Sequence, residues 1–384
     1  MRKNLLNLDQ YKINNSELIQ NINKIKKLEW KQGLYEKQSW GHPLHRIGPY
    51  VGRIKPAFAH FLIKYLTKEG QTILDPFCGI GTICLEGSLM KRNFYGYDLN
   101  PYAIHIAEAK IYKKINLEKI ISEIKKTKIN TKKINLRNIP KWVKNYYNSK
   151  TLKEILFFLD HFKKKRSKFL YGCLLAISQG HRPGHLSKPC AWTLPYKPRP
   201  DDPGEYRSVK PRLISKILRN YRDIKEPQGK MVIKKIDARK LPNKNQSIDA
   251  IITSPPYLNT LDYVNSHRLR LAICGHYEKN NLSKLKNKLI QNKKNYLSEM
   301  EKVIREIFRV LKNGGICCFV VGDHFEDNGK VINTSRLLLN IFKRYNFDFL
   351  DIIEDKIPVN KSVQKKTLKI KSDRIFVLKK NAQY

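Results

Sequence analysis

The sequence predicts an α/β fold: a seven-stranded, mainly parallel sheet with an antiparallel hairpin at one edge and an inserted smaller region. Three observations lead to this prediction. Seven short apolar runs are bounded by Gly, Pro or Asp, helical patterns separate most of these runs, and one long stretch at 114 to 230 interrupts the rhythm. Regular alternation of strand and helix is typical of parallel sheets covered by helices on both faces.

The first element is a helix at 55 to 66, because the apolar residues of KPAFAHFLIKYL recur at helical spacing. The strand candidates lie at 72 to 74, 94 to 97, 231 to 236, 249 to 252, 316 to 321, 348 to 353 and 374 to 378. Further helical patterns lie at 101 to 113, 294 to 311 and 334 to 343. A loop instead of a helix separates the last two strands, which predicts the antiparallel hairpin.

The chain divides into three regions. Residues 1 to 41 form a polar leader, and residues 42 to 113 together with 231 to 384 form the expected catalytic domain. The insertion at 114 to 230 begins with Lys, Ile and Asn, continues with a helical pattern at 151 to 178, and ends in a segment rich in Pro, Gly, His and Arg. An insertion between the second and third strands is the simplest explanation.

The charge of the chain favours a polyanionic partner. Lys and Arg number 76 against 33 Asp and Glu, a formal net charge of +43, which attracts nucleic acid through counterion release. In the insertion, Arg182 and Trp192 lie among basic and aromatic residues suited to phosphate contacts and base stacking. The insertion is therefore a candidate target-recognition region, and a solvated loop that serves solubility alone is the alternative.

Seven cysteines without a CxxC pair indicate reduced, mostly buried thiols. The N-terminus is too polar for a signal peptide, and no apolar run approaches the roughly 18 residues of a membrane span. We therefore expect a soluble, cytoplasmic protein without membrane contacts.

The first chemical motif is ILDPFCGIGT at 73 to 82. A short strand ends in an acid and continues into a Gly-x-Gly turn, where Gly79 and Gly81 let the backbone approach a ligand at the carboxyl end of the strand. Asp98 ends the second strand, and an acid about 20 residues after such a turn grips the hydroxyls of a ribose. Plain helix packing by the two glycines is the alternative.

The second motif is TSPPY, which follows the apolar strand of IDAIITSPPY at 248 to 257. Two consecutive prolines leave the Pro255 carbonyl without a local N–H partner, so a rigid acceptor faces the expected cleft. The Ser254 hydroxyl and this carbonyl would both accept from an exocyclic amine, and the Tyr257 ring offers a stacking surface for a flipped base.

DPFCGIGT, GYDLNPYAI and TSPPY in this order resemble the amino-methyltransferases of DNA, which modify N6 of adenine or N4 of cytosine. The run HRIGPYVGRIKPAFAHFLI resembles their motif before the first strand, with Ile54 where an aromatic residue is expected. The likeness covers 42 to 112 and 231 to 322 well, the C-terminal hairpin weakly and the insertion hardly at all. It implies the Rossmann-like methyltransferase fold, S-adenosyl-L-methionine as cofactor and double-stranded DNA as partner.

The resemblance also implies roles for individual residues. The expected cofactor contacts are Pro56, Asp75, Phe77, Gly79, Gly81, Thr82, Asp98, Asp237 and Ala238. Within this set, Asp98 would bind the ribose, Asp237 and Ala238 the adenine, Pro56 would close the pocket, and the others would hold the methionine end. A helix cap for Asp98 and a turn for Asp237 are the structural alternatives.

The expected catalytic residues are Ser254, Pro255, Pro256 and Tyr257. The polar segment after them supplies candidates for the base pocket, and a surface helix is the alternative for all four: Asn259, Asp262, Tyr263 and Arg268. Arg182 and Trp192 of the insertion complete the candidate substrate contacts.

SPPY resembles the cytosine-N4 enzymes, whereas the adenine-N6 enzymes more often carry Asp or Asn at its first position. The resemblance therefore favours cytosine N4 over adenine N6, the runner-up. A tRNA guanine-N2 methyltransferase is a further alternative, although only about 40 residues precede the cofactor motif, too few for the RNA-binding domain such enzymes usually carry. A non-catalytic DNA-binding relative is the last, against which the intact Asp75, Asp98, Ser254 and Tyr257 argue. A cognate restriction endonuclease and the oligomeric state stay open.

Two other chemistries are disfavoured. Pro189-Cys190 matches the nucleophilic dipeptide of C5-cytosine methylases, but it lies in the irregular insertion, away from any strand end. Cys173, His181, His185 and Cys190 lack the tight paired spacing of structural zinc sites. We expect no bound metal.

Overall fold

The computed structural model of the chain describes most of its residues. They are 16–28, 33–37, 39–111, 116–191, 204–222, 224–258, 261–275, 279–292, 294–322, 324–325, 331–356 and 372–381.

Seven strands form one sheet. They are β1 (Thr72–Asp75), β2 (Asn93–Asp98), β3 (Met231–Lys235), β4 (Ile248–Thr253), β5 (Leu311–Gly322), β8 (Phe347–Lys356) and β9 (Ser372–Lys380). Their order is β3-β2-β1-β4-β5-β9-β8. The first five strands in this order are parallel, and β9 runs antiparallel to both β5 and β8. The predicted α/β class, the mainly parallel sheet and the antiparallel edge hairpin are confirmed.

Fourteen helices lie in the described part of the chain. They are α1 (Ser16–Lys27), α2 (Pro56–Leu66), α3 (Thr82–Leu89), α4 (Pro101–Glu108), α5 (Leu117–Lys126), α6 (Lys141–Lys144), α7 (Ser149–Lys164), α8 (Lys168–Ile177), α9 (Val209–Tyr221), α10 (Tyr263–Ser266), α11 (Arg268–Ile273), α12 (Lys279–Lys288), α13 (Tyr296–Val310) and α14 (Thr334–Arg344). Short 3₁₀ turns lie at Gly33–Glu36 and Pro43–Arg46, and a two-stranded ladder joins β6 (His324–Phe325) to β7 (Val331–Ile332).

The core has two layers because neighbouring residues of a strand face opposite sides of the sheet. Leu74 and Cys317 belong to the cluster that packs with α13 and α14. Ile73 and Cys318 belong to the cluster that packs with α1, α2 and α3. Helices therefore cover both faces, which explains why the parallel strands read as nearly continuous apolar runs.

Helix α8 of the insertion packs on α4, and residues of the two helices belong to a third hydrophobic cluster. The prediction of one helical pattern at 151 to 178 is wrong in one respect, because this segment forms two helices, α7 and α8. The chain reverses at Arg166, whose φ is +54°, and Ser167 then caps α8 through a bond from the Leu170 N–H. The division of the chain into domains stays a prediction.

All seven cysteines lie in the described residues and are free thiols, six of them buried. Among the described helices, none combines the length and the apolar character that crossing a membrane requires.

Candidate active site

A cavity with an empty volume of about 820 Å³, its open mouth included, lies at the carboxyl ends of the parallel strands. This is where open α/β sheets bind ligands. Ten of the predicted site residues line the cavity: Asp75, Phe77, Gly79, Thr82, Asp98, Asp237, Ala238, Ser254, Pro256 and Tyr263. The two motifs found in the sequence therefore contribute to one space.

The glycine turn joins β1 to α3. Gly79 has a φ of +49°, and its N–H donates to Asp98 Oδ2 over 2.9 Å. Gly81 has a φ of +70° at the N-cap of α3, and a Cβ there would lie 3.0 Å from the Cβ of Ala107. Gly81 therefore permits close packing of α3 on α4 and is not among the residues that line the cavity.

A direct hydrogen bond connects the two motifs. The Thr253 hydroxyl, at the end of β4, donates to Asp75 Oδ1 over 2.6 Å, and the Phe77 N–H donates to the same oxygen. The two strands are neighbours, with Leu74 opposite Ile251. Burial raises the pKa of the Asp75 carboxyl to about 7, although these two hydrogen bonds act to lower it.

Asp98 takes part in the glycine turn and lines the cavity. Its Oδ1 accepts from the Asn100 N–H over 2.8 Å, while Oδ2 holds Gly79. Burial raises the pKa of this carboxyl to about 6. The N-cap of α4 is Asn100, whose side chain accepts from the Tyr102 N–H, so the alternative that Asp98 caps this helix is wrong.

The cavity fits the expected cofactor. The Thr82 hydroxyl oxygen is buried in the cavity wall without a hydrogen-bond partner among the residues that the structure describes, so a polar ligand group would satisfy it. Ile236, Ala238 and Ile290 supply an apolar lining for a flat ring. These features suit a ligand with one charged end and one nucleoside end, as S-adenosyl-L-methionine has.

Asp237 lies beside this apolar lining and bonds to Arg239. Both of its carboxylate oxygens accept from the guanidinium, the shortest contact being 2.6 Å. Burial acts to raise the pKa of Asp237, but the hydrogen bonds from Arg239 outweigh it and lower the pKa below its usual value. Asp237 thus remains a charged acceptor at the cavity.

A hydrogen bond from α13 fixes the backbone of the double-proline turn. The hydroxyl of Tyr296, the first residue of α13, donates to the Pro256 carbonyl over 2.9 Å. Ser254 and Pro256 face the cavity, whereas Pro255 is buried and is absent from its lining. Burial raises the pKa of the Tyr257 phenol well above its usual value, and the charge of the nearby Asp373 carboxyl raises it further; Tyr257 is not among the residues that line the cavity.

Tyr50 is a cavity residue that the sequence analysis missed. Its ring stacks on His267 with centroids 4.8 Å apart and an interplanar angle of 4°, and it lies near Tyr263. A Cβ on Gly79 would lie 3.2 Å from the Tyr50 ring, so this ring covers the glycine turn. The signal was its place in GPYVGRI, the run resembling the motif before the first strand.

Arg53 and Ile54 of the same run also line the cavity. Pro56, the first residue of α2, is buried and does not. Its role in closing the pocket stays a prediction.

Three of the remaining predicted contacts, Asp262, Arg268 and Arg182, are not among the residues that line this cavity. Asp262 caps α10 and forms an ion pair with Lys286, and Arg268 contacts Asn265. Arg182 lies in the exposed segment after α8. Asn259 and Trp192 fall outside the described residues.

The structure gives no support to the two disfavoured chemistries. Cys190 is buried next to Ser187, and burial raises the pKa of its thiol, opposite to what a nucleophilic thiolate requires. Cys173 lies within α8. In the described ranges, no three or more His, Cys, Asp or Glu side chains are arranged to hold a metal.

Comparison with known proteins bears on the same residues. A family model described as DNA methylase, of the N6/N4 type, matches residues 3–109 and 248–384, more than half of the chain. The unmatched stretch, 110–247, contains the whole insertion. The matched segments carry both the glycine turn and the double-proline turn.

Two curated relatives are Type II methyltransferases. M.BsoBI of Geobacillus stearothermophilus is 31% identical over 275 residues, which is 59% of this chain and 52% of that protein. M.MjaII of Methanocaldococcus jannaschii is 32% identical over 152 residues, 37% of this chain and 27% of that protein. The chain thus matches about half of the first relative and about a quarter of the second.

Among solved structures, a SAM-dependent methyltransferase from Methanosarcina mazei aligns with a TM-score of 0.37 and 13% identity, covering 84% of this chain and 98% of that one. The family model, which spans both motifs of the cavity, decides the assignment. The chain belongs to the DNA methylase family of the N6/N4 type, and its cofactor is S-adenosyl-L-methionine.

Proposed function

We propose that the protein transfers a methyl group from S-adenosyl-L-methionine to the exocyclic N4 amine of cytosine in double-stranded DNA, on a base flipped out of the helix. The observation that carries this proposal is the hydrogen bond between Thr253 and Asp75, which puts the glycine turn and the double-proline turn side by side. A methyl donor held at the first turn and an amine held at the second would meet in the shared cavity.

The cofactor roles follow from the cavity wall. The methionine end would be held by Asp75, Phe77, Gly79 and Thr82. The Thr82 hydroxyl, which has no hydrogen-bond partner in the described part of the chain, would bind a polar group of the cofactor. Asp98 would bind the ribose, and Asp237 and Ala238 would bind the adenine. Bound here, the cofactor supplies an electrophilic methyl group on a sulfonium.

Catalysis by the chain would consist of positioning and polarisation. The lone pair of an aromatic amine is delocalised into the ring, so the free amine is a weak nucleophile. A hydrogen bond accepted by the Ser254 hydroxyl, which lines the cavity, favours a pyramidal nitrogen whose lone pair points at the methyl. The Pro255 carbonyl was predicted as a second acceptor, but Pro255 is buried outside the cavity lining. Holding both reactants in line supplies much of the remaining acceleration.

The choice of cytosine rests on the serine that opens SPPY. Adenine N6 is the alternative target, because the family includes both types. Its methylation would use the same chemistry on a different base. The base pocket would include Tyr263, whose ring lines the cavity beside Ser254.

DNA as the partner is supported by the family and by the formal net charge of +43. We propose the insertion as the target-recognition region, because it lies where the family model has no match and carries Arg182 among other exposed basic residues.

The test is to incubate the purified protein with unmethylated duplex DNA and S-adenosyl-L-methionine, digest the DNA to nucleosides and identify the product by mass spectrometry. N4-methylcytosine supports the proposal. N6-methyladenine selects the other target base. A parallel incubation contains tRNA instead of DNA. Methylguanosine in the tRNA, with no product in the DNA, would identify RNA as the substrate. No product in either incubation would indicate a protein that binds nucleic acid without methylating it.

A further inference from the structure

Arg239 joins three segments of the chain at the end of the cavity proposed to hold the adenine. Its Nε donates to Asp237 Oδ1 over 2.8 Å, and its Nη2 donates to Asp237 Oδ2 over 2.6 Å. Nη2 also donates to the Lys288 carbonyl over 2.9 Å, and Nη1 donates to the Glu299 carboxylate. The loop after β3, the end of α12 and the first turn of α13 therefore meet at one guanidinium.

The Arg239 side chain lies behind the cavity wall. Asp237, Leu289 and Ile290 line the cavity, whereas Arg239 is not among its lining residues. Arg239 instead lines a neighbouring hollow, whose wall shares Leu289 and Ile290 with the cavity. Any effect of Arg239 on a ligand in the cavity is therefore exerted through the residues that it holds.

The hydrogen bonds from Arg239 use most of the acceptor capacity of Asp237. A carboxylate has about four lone-pair positions. Oδ1 accepts from both the backbone N–H and the Nε of Arg239, and Oδ2 accepts from its Nη2. Among the residues that the structure describes, these are the hydrogen bonds to the Asp237 side chain, so about one position, on Oδ2, is left for a ligand.

We propose that Arg239 is a positioning residue that fixes Asp237 as a selective acceptor for the exocyclic amine of the cofactor's adenine. This inference rests on the proposed function, which assigns Asp237 to the adenine. A carboxylate held in the fork of a guanidinium keeps one orientation and its charge. A site built around one fixed acceptor then rejects a base that offers no donor at that point.

Hypoxanthine is the base that tests this selectivity. It carries a carbonyl oxygen where adenine carries the amine, and it has a donor of its own at the adjacent ring nitrogen. A carboxylate that can move would accept from either base, whereas a fixed one would accept from adenine alone. The preference between the two bases therefore reports on the orientation of Asp237 and not merely on its presence.

Arg309 provides a matched control. It joins the same loop to α13, because it donates to the carbonyls of Leu241 and Asn243 and to the Glu306 carboxylate. Its side chain is 31% exposed, against 22% for Arg239. Neither Arg309 nor these three partners are among the residues that line the cavity. Arg309→Met should therefore change stability without changing the preference between the two bases.

The experiment measures dissociation constants by isothermal titration calorimetry for S-adenosyl-L-homocysteine and S-inosyl-L-homocysteine, which differ only in the base. A hydrogen bond to a charged acceptor changes affinity about 10-fold to 100-fold, so the wild type should prefer the adenine ligand by this factor. The preference should fall to within about threefold in Arg239→Met and in Asp237→Ala. If Arg239→Met does not fold, Arg239→Lys replaces it with the same expectation, because lysine keeps the charge without the fork.

The ratio of the two dissociation constants separates the possible outcomes. Loosening of the wall at Leu289 and Ile290 would weaken both ligands alike and leave the ratio unchanged. A wild-type ratio in the Arg239 variant, or a lost ratio in Arg309→Met, would overturn the proposal. A wild-type ratio in Asp237→Ala would overturn the proposed role of Asp237 as well, whereas a ratio lost there and kept in the Arg239 variant would overturn this inference alone.

Discussion

Asp75 both connects two neighbouring strands and lines the cavity. It ends β1, accepts from Thr253 and lines the cavity, and burial raises the pKa of its carboxyl to about 7. Asp98, at the end of β2, has a pKa raised to about 6 by burial. With these raised pKa values, the Asp75 and Asp98 carboxyls of the ligand-free protein are partly protonated near neutral pH. A cationic ligand favours their charged forms, so its binding releases these protons.

Cofactor affinity should therefore depend on pH. The methionine end carries a sulfonium and an ammonium, which stabilise carboxylates over neutral acids, so binding releases protons and strengthens as pH rises through about 6 to 7. Isothermal titration calorimetry between pH 5.5 and 8, in buffers of different ionisation enthalpy, measures both effects. The same affinity at all pH values would contradict this prediction, and Asp75→Asn should flatten the curve.

Gly79 is the residue of the turn for which a side chain should be most harmful. Its φ of +49° costs other residues roughly 1 to 2 kcal/mol, and a Cβ would press on the Tyr50 ring at 3.2 Å. Gly79→Ala should lower both stability and cofactor affinity. The control is Gly70→Ala, with a φ of +78° and no atom near the added Cβ, which should lower stability alone. Equal cofactor affinity in the two variants would refute the role of the Tyr50 contact.

Six of the ten predicted residues that line the cavity lie inside the two motifs, at strand ends. The other four were predicted from the end of the second strand, from the resemblance to the amino-methyltransferases and from the polar segment after TSPPY: Asp98, Asp237, Ala238 and Tyr263. Tyr50 and Asp373 could not be predicted in the same way. Tyr50 reaches the glycine turn through ring contacts with His267, more than 200 residues away. Asp373 lies at the edge of the sheet near the double-proline turn only because β9 inserts between β5 and β8, and no local pattern specifies that pairing order.

At the scale of elements, the seven strands were predictable because each is a short apolar run with turn residues on both sides. The division between α7 and α8 was not predicted. Six consecutive polar residues at 163 to 168 separate the apolar positions of the two helices, and Arg166 among them has a left-handed conformation. The ladder of β6 and β7 was also missed, because strands of two residues have no measurable alternation.

The contact between α4 and α8 attaches the insertion to the sheet, and Gly172 makes that contact close. A Cβ at Gly172 would lie 2.6 Å from the His105 carbonyl oxygen and 2.7 Å from the Ala109 Cβ. Despite the better helix propensity of alanine, Gly172→Ala should destabilise the protein by about 1 to 3 kcal/mol through overpacking.

Thermal or urea unfolding measures this change in stability. Gly184→Ala, in the same insertion with open space around the added Cβ, should unfold like the wild type. If Gly172→Ala were as stable as Gly184→Ala, α8 would not pack on α4 as closely as described.

At the scale of the whole molecule, the two segments that match the family carry the glycine turn and the double-proline turn. The unmatched stretch 110–247 includes helices α5 to α9 and also three residues of the cavity wall, Ile236, Asp237 and Ala238. The fold class could be predicted from alternation, because a parallel sheet requires crossover helices. The DNA sequence that the proposed enzyme would recognise could not be predicted, because base readout depends on a few side chains and their geometry.

The most direct measurement of the central claim is the transfer of an isotopically labelled methyl group from S-adenosyl-L-methionine to duplex DNA, with cofactor binding measured on the same proteins. The wild type should bind the cofactor and label the DNA. Ser254→Ala should bind the cofactor equally well and transfer about 100-fold more slowly or less, whereas Asp75→Ala should lose affinity for the cofactor. A Ser254→Ala variant that labels DNA at the wild-type rate would contradict the account.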